Sequence, residues 1–142
     1  MRLKNNKSGF TLLEIIIVII IVGVLASLAL PRFFATVEFS KSAEALQAMA
    51  VVRGSMERCY VASGGTYAPA SGCTIANIDV ANPGTAPGAR FVYLVGSQSA
   101  TGYTIRATRN LVDGGDGVSN ITLTQSAAGV TRMGTGVYVG IK

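Results

Sequence analysis

Glu14 is the first residue whose chemistry demands an explanation. It is the only charged side chain among the 21 residues from Phe10 to Leu30. A carboxylate in so apolar a stretch costs about 3 kcal/mol unless it finds a partner, so its chemistry is electrostatic pairing. Two thiols, Cys59 and Cys73, follow much later. Their internal pairing is forced if it occurs; the alternatives are two free thiols or a metal pair, and two cysteines without histidine make a poor zinc site. The third candidate is Asn110-Leu111-Val112-Asp113-Gly114-Gly115-Asp116-Gly117. Asp113 and Asp116 on a glycine-rich loop could hold calcium, but the spacing is not that of an EF-hand. A polar strand connection whose glycines supply positive φ is the simpler expectation. The chain contains no histidine, which excludes histidine-based dyads and histidine metal sites. No constellation supports catalysis, so the expectation is that the protein is not an enzyme and needs no cofactor.

The element that positions Glu14 is a basic head followed by an apolar run. Arg2, Lys4 and Lys7 precede Ser8-Gly9-Phe10-Thr11-Leu12-Leu13-Glu14, which leads into Ile15–Leu30. About 20 apolar residues span a bilayer as a helix. A cleaved secretory signal has a similar head and a small-residue site, for which Ala26-Ser27-Leu28-Ala29 would serve. A plain signal anchor is the other ordinary alternative. Neither accounts for Gly9-Phe10 ahead of the run or for Glu14 inside it.

These residues resemble the class III signal of type IV prepilins and pseudopilins: a short basic leader ending in Gly9, then Phe-Thr-Leu-Leu-Glu, then an aliphatic helix. The resemblance covers roughly the first thirty residues. It implies that a membrane-embedded prepilin peptidase cuts between Gly9 and Phe10 and methylates the new Phe10 amine. It implies too that the helix is kept, first as an inner-membrane anchor and then as the core of an extracellular filament. Physical considerations agree. Three positive charges hold the leader on the cytoplasmic side. Gly9 lets an extended backbone enter a protease cleft. The new amine would sit at a helix start, where backbone N–H groups lack partners and an anion is favoured. Glu14, one turn in, would pair with that amine on its own or a neighbouring subunit; the resemblance implies that a neighbour's amine would set the axial register of assembly. Removal of the leader takes three of the twelve basic residues, leaving nine against seven acidic side chains. A net +2 is weak support for nucleic-acid binding.

Beyond the anchor, Phe39, Ala43, Leu46, Met49, Val52, Met56 and Cys59 step by three or four, as on one face of an amphipathic helix. One helix from about Phe10 to about Ala62 is expected, roughly 80 Å long. Pro31 should kink or loosen it, and Gly64-Gly65 should end it. Thr66–Gly88 reads as a loop pinned by Cys73. Both cysteines lie past the anchor, so translocation would place them in an oxidising compartment and favour a disulfide. Phe91–Val95, Tyr103–Thr108, Ile121–Thr124 and Val130–Met133 have strand patterns, with Tyr103, Ile105 and Ala107 on one face and Ala128-Gly129 at a hairpin turn. Val137–Val139 is a candidate further strand. The expected fold is α+β, a pilin fold with the second half of a long helix packed on an antiparallel sheet of about four strands. Its parts are leader 1–9, transmembrane and filament-core helix 10–31, amphipathic half 32–63, and loop plus sheet 64–142.

The leading functional expectation is the repeating subunit of a type IV pilus, a homo-oligomeric filament built by pilus assembly machinery. The alternatives are a pseudopilin of a type II secretion system, forming a short periplasmic filament, and a minor pilin that primes assembly or binds DNA. An electron-conducting filament would require stacked aromatics, for which Phe33, Phe34 and Phe39 are candidates, although aromatics grouped on a buried helix usually serve packing.

Overall fold

The computed structural model describes residues 9–141. The leader cations Arg2, Lys4 and Lys7 lie outside the described residues. Helix α1 spans Leu12–Ala62 and continues through Pro31. Two compact units divide the chain, the first reaching Thr36 and the second starting at Val37.

The first unit is apolar and uncovered. From Leu12 to Thr36 every residue except the half-buried Ala26 is exposed. Ile15 is 50% exposed, Leu25 61% and Phe33 63%. This part of α1 is long and apolar enough to cross a membrane. An aliphatic surface this continuous is unfavourable in water and calls for a bilayer or neighbouring chains to cover it. Phe33 and Phe34 meet edge to face, with centroids 6.1 Å apart.

The second unit has its own core. The buried helix positions are Ser42, Ala45, Met49, Val52, Ser55 and Met56. This face is rotated from the expected one: Phe39 stays 45% exposed and Ala43 is exposed. The small side chains of Ser42 and Ala45 are buried instead, and Ala45 belongs to the same core cluster as Phe91 and Tyr93. Matching by apolar size alone therefore missed the first two turns of the face. The helix ends as expected. Gly64 and Gly65 take φ of +72° and +90°, and the Gly65 N–H donates to the Tyr60 carbonyl at 2.9 Å. Only glycine adopts such angles without strain.

The segment after the helix is held back against it by a Cys59–Cys73 disulfide, with Cα atoms 6.1 Å apart across a sequence separation of 14. In the chain-entropy view a loop of that size stabilises by about 3 kcal/mol. Tyr67 adds a second tie, stacking between Tyr60 and Tyr103 at 4.5 and 4.7 Å. Its hydroxyl donates to Glu57 at 2.8 Å. Burial, helped by that carboxylate, pushes the Tyr67 hydroxyl up to about 12. A third tie is the carboxylate of Asp79, which accepts from Ser55 and from Arg58. The Arg58 hydrogen bond and then that of Ser55 hold the Asp79 carboxyl down at about 2.

Strands β1 (Phe91–Gly96), β2 (Tyr103–Arg109), β3 (Asn120–Ser126) and β4 (Gly129–Gly134) form an antiparallel meander in the order β1-β2-β3-β4. Alternation puts Phe91, Tyr93, Tyr103, Ile105, Ala107, Ile121 and Leu123 in the core. The β3–β4 turn is Ala127-Ala128. Gly129 is the first residue of β4, paired with Ser126, so the turn sits one residue earlier than expected. Val137–Val139 is not a strand: Gly136–Tyr138 is a short 3-10 helix. A side chain at Gly134 would collide with the Tyr138 carbonyl, and one at Gly136 with Ser119. The two glycines allow a tight return that drives Tyr138 into full burial, an outcome that strand alternation could not deliver.

Candidate functional site

The expected processing and assembly residues sit together at the start of α1. Phe10 is 84% exposed. Thr11 immediately precedes the helix, and Glu14 is its third residue. Glu14 Oε2 accepts from the Thr11 backbone N–H at 2.8 Å and from its hydroxyl at 2.9 Å, while Thr11 Oγ1 accepts from the Glu14 N–H at 3.2 Å. That is a reciprocal capping box, which satisfies helix-start donors that otherwise lack partners. Within the chain, then, Glu14 already has a local task. One of its oxygens is engaged by Thr11, and the other is available to a cation. The sequence reading missed Thr11, although Thr-x-x-Glu before an apolar run is the signature of this cap.

A second constellation centres on Arg109, which the sequence reading left out. Its side chain is fully buried in an ion pair with Glu38 at 3.0 Å. Its guanidinium also donates to the carbonyls of Arg90 at 3.0 Å, Val112 at 2.8 Å and Asp113 at 2.9 Å. It lies 5.8 Å from the centroid of the Phe91 ring. Gly115 makes this possible: a Cβ there would fall 2.8 Å from the guanidinium. The Arg109 hydrogen bond holds the Glu38 carboxyl below its ordinary value against the effect of burial, with Lys41 assisting.

The loop weighed as a calcium ligand is therefore organised around an arginine. Asp113 pairs with Arg90 at 2.8 Å and Lys41 at 3.3 Å. These hydrogen bonds, Arg90's first, lower its pKa. Asp116 faces other partners, accepting from the N–H groups of Val118 and Ser119 and from the Ser119 hydroxyl. The two carboxylates are thus committed to different contacts. Among the described residues no group of three or more acidic, cysteine or histidine side chains converges as a metal site.

Comparison with known proteins bears on the helix start. Residues 4–30 match the family described as the prokaryotic N-terminal methylation motif. The chain is 37% identical over 57 residues to the type II secretion system core protein G of Escherichia coli, covering 40% of this chain and 39% of that protein. It is 40% identical over 58 residues to the fimbrial protein EcpC of Eikenella corrodens, covering 41% and 38%. A type II secretion system core protein G of Aeromonas hydrophila is 35% identical over 54 residues, or 38% of each chain. The chain spans about two fifths of the length of the curated relatives it matches. No solved structure matches it significantly. Residues 4–30 thus carry a prokaryotic N-terminal methylation motif, consistent with the type IV pilin and pseudopilin family, and from Leu12 onward the match lies on a long helix that precedes a four-stranded antiparallel sheet in the chain.

Proposed function

We propose that the chain is a structural subunit of a type IV pilus, not an enzyme, and that it polymerises through the first turns of α1. In this reading the prepilin peptidase cuts between Gly9 and Phe10 and methylates Phe10, and the helix anchors the subunit in the inner membrane until assembly. Glu14 then pairs with the Phe10 amine of a neighbouring subunit, and Pro31 marks a place where the helix can loosen in the filament. One observation carries the reading: a prepilin-type signal leads into a helical surface that is aliphatic and exposed from Leu12 to Thr36, with Glu14 and Arg32 its only charges. That surface suits a lipid bilayer before assembly and a bundle of identical helices after it.

A second reading is a pseudopilin forming a periplasmic filament, favoured by similarity to two type II secretion system core proteins. Location separates the two. Immunogold electron microscopy of intact cells should label surface filaments that shearing removes. Label confined to the periplasm would favour the pseudopilin, and label spread through the membrane without filaments would contradict both.

A further inference from the structure

A groove of about 200 Å³ opens on the second unit between α1 and the β3–β4 hairpin. Leu46, Met49 and Leu123 give it an apolar floor, and Arg53 and Arg132 give it two cations. Four cations of the unit have acidic partners: Arg109 and Lys41 with Glu38, Arg90 with Glu44 and Asp113, Arg58 with Asp79. Among the described residues of the unit Arg53, Arg106 and Arg132 have none, and of these Arg53 and Arg132 line the groove. Glu57, one helical turn from Arg53, is turned toward Tyr67 and Tyr103, whose hydroxyls it accepts. The Arg53 Nε is buried and lacks an acceptor. A buried donor left unpaired is unfavourable, so the groove is chemically incomplete. It calls for a carboxylate carried on an apolar segment.

The same unit presents such a segment elsewhere. On the loop between β2 and β3, Leu111 is 76% exposed, Val112 50% and Val118 72%. Arg109 holds this loop from beneath, and the Asp116 carboxylate is fixed by Ser119 and Val118. An ordered loop thus exposes three aliphatic side chains around an oriented acid with acceptor capacity to spare. It is tied to Glu38 and Lys41 through Arg109 and Asp113, whereas the groove lies along Leu46–Glu57 of the helix. Loop and groove share no residue. Their match in charge and in apolar character points to a second copy as the occupant.

Building on the filament reading, we propose that loop Leu111–Val118 of one copy docks in the groove of the next, with Asp116 accepting from Arg53 and Arg132 while Leu111 and Val118 cover Leu46 and Ala50. Two different patches meet, so the contact is heterologous. Such contacts propagate into open helical assemblies when the rotation does not close. The contact gives the Arg53 and Arg132 guanidinium groups a carboxylate and makes the globular unit, as well as α1, a carrier of subunit order.

The test uses the full chain in cells. A photoreactive residue replaces the exposed, groove-lining Ala50 in a minority of subunits, the rest being unaltered so that filaments form. Irradiation should yield a dimer whose cross-linked peptide maps to residues 111–118 of a second copy. Asp116→Asn, which keeps the turn acceptor and removes the charge, should lower dimer yield by about tenfold. Leu111→Ser should lower it as well, and normal subunit amounts with an oxidised Cys59–Cys73 bond confirm folding. Cross-links to another segment or to another protein, no dimer, or no loss with Asp116→Asn would overturn the contact. Electron microscopy of cells making only the unaltered chain separates the two claims. Filaments present without the expected cross-link remove the contact alone, whereas absent filaments remove the assembly reading and the contact with it.

Discussion

Replacing Glu14 by glutamine is expected to abolish filaments while leaving the subunit folded, processed and in the membrane. Glutamine is chosen because it still accepts from Thr11, so the capping box at the start of α1 persists. What disappears is the charge. In an apolar bundle, a Phe10 amine left without its carboxylate is a stranded cation, and removing one member of a buried pair costs about 3–5 kcal/mol. Repeated at every subunit, that loss should reduce sheared filament by more than about a hundredfold, since each 1.4 kcal/mol is a factor of ten. Thr11→Ala is the matching control: it removes the capping hydroxyl and keeps the carboxylate. A missing cap costs about 1 kcal/mol, and filaments should survive it. Shearing yields and electron micrographs of the two variants decide the matter. Normal filaments from Glu14→Gln, or their loss in Thr11→Ala alone, would make Glu14 a helix cap and nothing more.

Arg109→Met should be the most destabilising single change in the second unit. Methionine fills part of the space but donates nothing. The carbonyls of Arg90, Val112 and Asp113 would lose their shared donor, and Glu38 would keep only Lys41, 2.6 Å away. Breaking a buried pair from one side costs about 3–5 kcal/mol. Each kcal/mol shifts Tm by about 4–8 °C in a unit of this size, so a fall of more than about 10 °C is expected. Circular-dichroism melts of the detergent-solubilised full chain would show it. Arg109→Lys should recover little, because an ammonium lacks the planar fork that reaches several acceptors at once. The acid response should change too. Glu38 has a folded pKa below its ordinary value of 4.5. Its contribution is therefore complete at neutral pH and is lost as pH falls from that value through the lower folded one. Arg109→Met should flatten that acid arm. A Tm drop of under about 3 °C, well short of a single kcal/mol, would show that the arginine is dispensable.

Most of the architecture was legible in the residues. Alternation in Tyr103-Thr104-Ile105-Arg106-Ala107 identifies β2 and its buried face, and the step of three and four identifies the helix. Arg109 continues that alternation as the next inward position, but a charged residue at a strand end is ordinarily read as exposed. Only the glutamate on α1 and the carbonyls of a loop folded by Gly115 make its burial tolerable, and those are tertiary facts. The rotated helix face was missed for a related reason, since the buried positions Ser42 and Ala45 are small and carry little apolar signal of their own. Tyr138 was misplaced because Gly134 and Gly136 dictate a turn whose purpose is visible only beside Ser119 and the core. At the helix start the position was reversed. Glu14 stood out at once as an uncompensated acid, and the Thr11 cap lay in plain view in the same five residues. The proposed pairing of Glu14 with Phe10 would act between molecules, so the contacts within one chain do not contain it.

The most direct measurement is mass spectrometry of the first tryptic peptide, the one ending at Arg32, from purified filaments or membranes. A retained, processed helix requires a peptide that starts at Phe10 and carries one methyl group on its amine. A peptide starting at Ser8, where trypsin itself cuts after Lys7, would mean that the signal is not cut, and a chain starting after Ala29 would mean that the apolar helix is discarded. Either result would contradict assembly through the first turns of α1.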